Sequence, residues 1–174
     1  MKKLMILSAA LVFGACAQPA EKSSMANVGQ PAPQISLPEI VSGGVKAVNG
    51  WGDFKGKAVV LEFWSPDCPP CVENMPHLAK LAAEFKGKPV VFLSAALAPK
   101  AEVEDFLKTN KLPGIVAADT PVPLLSTFRG NGIPHTVLVD ANGVVAAITY
   151  PSYVTEKTID DLLAGKKLEI PGDM

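Results

Sequence analysis

The apolar run Ala58 to Trp64 leads into Cys68-Pro69-Pro70-Cys71 and then into a helical pattern, and this junction constrains the fold more than any other stretch. A run apolar at nearly every position reads as a strand covered on both faces, as at the centre of a sheet flanked by helices. Beyond the cysteines, Val72, Met75, Leu78, Leu81, Ala82 and Phe85 recur at helical spacing until Gly87, so strand and helix form one βα unit. The two thiols therefore lie one turn apart at a helix start, the geometry of a reversible disulfide.

A thiol at that position faces unpaired backbone N–H groups and the positive end of the helix dipole, which favour its thiolate. Cys68 is accordingly the candidate nucleophile, and Cys71 at i+3 is placed to resolve a mixed disulfide. A structural disulfide or half of a zinc site is the alternative. Zinc needs a third and fourth ligand, and the sequence has no second cysteine pair.

The rest of the pattern extends the βα unit. Val90 to Ala95 is a second buried strand, Lys100 to Asn110 a helix with Val103, Phe106 and Leu107 on one face, and Ile115 to Ala118 a short third strand. Thr136 to Asp140 and Val144 to Thr149 flank Asn142-Gly143, a strong hairpin signal. A last helix spans Thr155 to Ala164 and stops at Gly165. Ahead of all this, Ile35 to Ile40 and Val45 to Val48 on either side of Gly43-Gly44 read as an N-terminal hairpin. The order predicts an α/β fold with a central mixed sheet flanked by helices, in one domain of residues 28–174.

The start of the chain has a different character. Met1-Lys2-Lys3 precedes an apolar stretch from Leu4 to Ala17, a signal-type segment too short to span a bilayer. Phe13-Gly14-Ala15-Cys16 resembles a bacterial lipobox, with Cys16 as the lipidated residue; ordinary cleavage before Gln18 is the alternative. Ala17 after the lipidated cysteine points to outer-membrane sorting. Residues 18–27 are small and polar and read as a tether. The formal charge of −1 gives no sign of a nucleic-acid partner.

This order, with Cys-x-x-Cys after the first βα strand, resembles the thioredoxin fold. Val28-Gly29-Gln30-Pro31-Ala32-Pro33, Val59 to Trp64, and Gly132-Ile133-Pro134 followed by Val137 to Asp140 narrow the resemblance to the TlpA-like exported thiol-disulfide oxidoreductases. The resemblance implies that Pro134 is a cis-proline beside Cys68, with the Ile133 backbone free to pair with an extended substrate. It implies that Glu62, an acid in an apolar strand, takes the proton of Cys71, with burial raising its pKa. Trp64 is expected beside the disulfide, within reach of substrate. Asp67 stands where the family commonly has an aromatic residue; it opposes the Cys68 thiolate, or else caps the helix. Pro76 is expected to kink the first helix, and His77 has no assigned role.

The resemblance thus implies an envelope reductase acting on proteins with disulfides or thiols, fed by a periplasmic or membrane dithiol donor, with no organic cofactor. A disulfide oxidase or isomerase is one alternative. Cu(I) held by Cys68, Cys71 and His135 is another.

Overall fold

The computed structural model describes residues 25–171. Its six strands are β1 (Ile40–Ser42), β2 (Ala58–Trp64), β3 (Val90–Ala96), β4 (Ile115–Ala117), β5 (His135–Val139) and β6 (Val145–Thr149). They lie in one sheet in the order β1-β4-β3-β2-β5-β6. The strands β2, β3 and β4 are parallel, while β1, β5 and β6 pair antiparallel to their neighbours. β2 is central, and all of its residues are buried, as its unbroken apolar character requires.

The helices are α1 (Pro69–Glu84), α2 (Lys100–Leu107), α3 (Val122–Thr127) and α4 (Glu156–Leu163). Alternation along β2 divides the core. Val59, Leu61 and Phe63 pack with Phe128 of the segment after α3, with Phe54 and with the leading residues Ala26 to Val48. On the other face Val60 packs with Leu78 and Leu81 of α1 and Ile159 and Leu162 of α4. Trp64 continues that face, with Cys68, Cys71, Met75 and Val103 of α2.

α4 begins at a capping box, in which Thr155 accepts from the Thr158 N–H and the Thr158 hydroxyl accepts from the Thr155 N–H. The β5–β6 turn uses Gly143 at φ +78°, and the Asp140 carboxylate accepts from the N–H groups of Asn142 and Val144.

Three features differ from the sequence expectation. The N-terminal hairpin is reduced to one bridge, in which Leu37 and Val48 exchange backbone bonds of 2.9 Å. Residues beyond Leu37 instead form β1 on the β4 edge, where they cover otherwise unpaired backbone groups. α3 has no counterpart in the sequence pattern: its sequence, VPLLST, is too short to display a helical period. Ala26, within the expected tether, is instead fully buried, and its N–H bonds Thr127 O at 2.8 Å. The proposed signal segment and Cys16 lie outside the described residues. No helix among the described residues is long and apolar enough to cross a membrane.

Candidate active site

Cys68 and Cys71 form a disulfide with a Cα–Cα distance of 5.2 Å. Cys68 occupies the N-cap of α1, so Asp67, exposed one residue earlier, does not cap the helix. Pro69 and Pro70 fill the first two helical positions and remove two of the N–H groups that a helix start normally offers. The first N–H left is that of Cys71, which faces both Cys68 O at 3.0 Å and Cys68 Sγ at 3.2 Å. The head of α1 thus directs one N–H to the Cys68 sulfur. α1 runs on through Pro76, whose ring leaves the Val72 carbonyl without its helical partner.

The two sulfurs are not equivalent. Cys71, 3 % exposed, lines a small, partly open cavity of about 20 Å³ together with Glu62, Trp64, Met75, Leu78 and Ser94. Cys68, 8 % exposed, is not part of that lining. Such a volume holds about one water molecule.

Glu62 is buried, and strand register explains its surroundings. It pairs with Thr136 on β5 and Ser94 on β3, and Thr136 pairs with Thr149 on β6. Four buried polar side chains thus form one row across four strands, and the Thr136 hydroxyl donates to the Glu62 carboxylate. Single-strand patterning gave no sign of this row, because each member sits alone in its own apolar run. Only the pairing reveals it.

The peptide bond between Ile133 and Pro134 is cis. Antiparallel register sets Phe63 opposite His135, which places Pro134 at the end of β2 that leads to Cys68. Ile133 is half-buried and packs against the cluster that contains both cysteines. Among the described residues no backbone hydrogen bond involves Asn131, Gly132 or Ile133.

Two expectations need correction. Trp64 is 0 % exposed, enclosed by α1 and α2 with its ring 5.3 Å from that of Phe106, so no substrate can touch it directly. Its indole N–H has no protein partner among the described residues. His135 does not join the thiols. Its ring shares the Phe63 face of the sheet, at 6.1 Å from that ring, and Nε2 bonds Phe128 O at 2.9 Å. No cluster of three metal-ligating side chains occurs among the described residues, so the set Cys68, Cys71 and His135 is not assembled. His77, left without a role by its sequence position, joins α1 to the turn before α4 through Val154 O at 2.7 Å.

The family model described as Redoxin matches residues 27–163, which span the sheet and every element described above. The chain belongs to the redoxin family. This redoxin is 31% identical over 129 residues to the thiol-disulfide oxidoreductase ResA of Geobacillus kaustophilus, covering 74% of this chain and 71% of that one. It is 29% identical to the ResA of Oceanobacillus iheyensis over 146 residues, 83% of this chain and 76% of the relative. Among solved structures, the thioredoxin domain of a thiol-disulfide oxidoreductase from Bacteroides vulgatus superposes with a TM-score of 0.67 at 25% identity, covering 79% of this chain and 98% of that domain. The expected α/β thioredoxin-like fold is the fold of this redoxin.

Proposed function

We propose that this redoxin, a thiol-disulfide oxidoreductase, works as a reductase of protein disulfides in the bacterial cell envelope, held at the membrane by a lipid on Cys16. The observation that carries the direction is the head of α1. Two prolines remove N–H groups, one N–H remains for Cys68 Sγ, and Asp67 adds a neighbouring negative charge. Weak stabilisation of the thiolate disfavours the dithiol form and makes the couple more reducing.

In the reaction, the Cys68 thiolate attacks one sulfur of the substrate disulfide, that S–S bond breaks, and one substrate thiolate leaves. Glu62 takes the proton of Cys71, through the shared cavity. The Cys71 thiolate then attacks Cys68 Sγ and releases the second substrate thiolate. Two electrons have passed to the substrate, and the Cys68–Cys71 disulfide remains. A dithiol donor on the membrane or in the periplasm must reduce it again, since an oxidising compartment supplies no electrons. Ile133 and Pro134 hold the substrate chain beside Cys68, with the free Ile133 backbone as the pairing edge.

The test is the reduction potential of the Cys68–Cys71 pair, titrated against glutathione or dithiothreitol and followed by tryptophan fluorescence. A value at or below about −220 mV supports reduction. A value between about −120 and −180 mV, the range of oxidases and isomerases, reverses the electron flow and overturns the proposal.

A further inference from the structure

We infer that His135 is a positioning residue for the substrate chain, its imidazole bracing the root of the loop that carries Ile133. The inference rests on the reading above in one respect, that the substrate is a disulfide-bearing chain paired at Ile133.

The loop between α3 and β5 has a held root and a free tip. At the root, Gly130 N–H bonds Leu125 O at 3.0 Å, and Arg129 N–H bonds Ser126 O at 2.9 Å. His135 Nε2 bonds Phe128 O at 2.9 Å inside the core. A carbonyl only accepts, so Nε2 donates, and it satisfies a carbonyl just beyond the last turn of α3. The imidazole also forms part of the surface on which the loop rests. A Cβ on Gly130 would lie 2.1 Å from Leu125 Cδ1 and 3.1 Å from His135 Cγ, so the chain runs close against both side chains there. Beyond Gly130, residues 131–133 have no backbone bonds among the described residues until β5 begins. The imidazole of the first β5 residue thus ties the far side of the loop back to α3 and narrows the range of positions open to Ile133.

Ordering a loop at the moment of binding costs conformational entropy, and a brace that orders it beforehand removes that cost. The benefit reaches only substrates that pair with the loop. A small disulfide that meets Cys68 alone gains nothing from it, which separates positioning from any effect on the thiols.

The experiment compares the reduced protein with His135→Phe, which keeps a ring against Phe63 but lacks the N–H, and with His135→Gln, which returns a donor at similar reach. Single-turnover rates are measured with a peptide dimer joined by one disulfide, with free residues on both sides of each cysteine, and with 5,5′-dithiobis(2-nitrobenzoate). We expect His135→Phe to weaken half-saturation by the peptide about five- to tenfold, the effect of one lost hydrogen bond. The maximal rate and the reaction with the small disulfide stay unchanged, and His135→Gln restores most of the loss. Gly130→Ala, whose Cβ crowds Leu125 and the imidazole and so displaces the root, gives the same selective loss if His135→Phe does not fold.

Equal loss on both substrates, no loss on either, or a folded His135→Gln that restores nothing overturns the brace and leaves the reductase reading standing. A wild-type protein that reacts with the small disulfide and with no peptide disulfide overturns the reductase reading and this inference together.

Discussion

Glu62→Gln separates the two chemical steps that the cavity beneath the disulfide keeps apart. Glutamine retains the shape of the side chain and an oxygen to accept the Thr136 hydroxyl, so the polar row across the sheet survives. What it loses is the capacity to take a proton. A positioned general base contributes about 10²- to 10⁴-fold. The cavity of about 20 Å³ admits about one water, and Ser94, the hydroxyl-bearing side chain of its lining, is no base at neutral pH. The cavity is partly open, so a water entering it can relay the proton to solvent, and the lower end of that range applies. Resolution by Cys71 should slow about 100-fold, or about 2.7 kcal/mol in activation free energy. Cys68 does not line the cavity, and its attack should proceed at the wild-type rate. The first step is isolated in a Cys71→Ser background, where the mixed disulfide accumulates. The second is read from the lifetime of the mixed disulfide in the complete dithiol protein, by acid quench and mass spectrometry. An unchanged lifetime, or an equal slowing of both steps, would refute the assignment of Glu62 as proton acceptor.

Two further predictions concern the scaffold. Gly114 (φ +73°) and Gly44 (φ +77°) share a backbone conformation, but a Cβ on Gly114 would meet Phe92 O at 2.1 Å, whereas one on Gly44 meets nothing within 4 Å. Gly44→Ala should cost about 1–2 kcal/mol from conformation alone and Gly114→Ala a further 1–3 kcal/mol or so from the backbone collision; equal urea midpoints would refute the distinction. Lys157 and Lys166 hydrogen-bond the Asp161 carboxylate and hold its pKa below the ordinary 3.8. Its folded pKa is lowered, so its contribution is present above the unfolded pKa and is lost as pH falls through the folded one. Urea midpoints from pH 7 down to the acid limb should show a modest loss in wild type that is absent in Asp161→Asn and is weakened by salt; an identical acid limb in the variant would rule the pair out as a contributor.

Much of this architecture is legible without coordinates because it rests on local signals. The all-apolar run of β2, the helical period of α1, the Asn142-Gly143 turn and the Thr155 start of α4 each declare themselves within a few residues. The Cys-x-x-Cys motif announces its chemistry in the same way. α3 left no such trace, since one short turn carries no period to read. The cap of α1 is ambiguous in the sequence as well, because Asp67 is the more familiar capping residue while Cys68 holds the position.

Sequence by itself determined most of the elements and which two cysteines pair, because turn chemistry, periodicity and adjacency along the chain act over short range. Tertiary structure decided what surrounds those thiols. Strand register joined Thr136, Glu62 and Ser94 in one buried row, enclosed Trp64 beneath the disulfide, and turned His135 to the face opposite Cys71. A one-residue shift in pairing would exchange the two faces of every strand involved. That choice is made by the packing of whole faces against their helices, a sum over contacts distant in sequence that no single stretch of the chain contains.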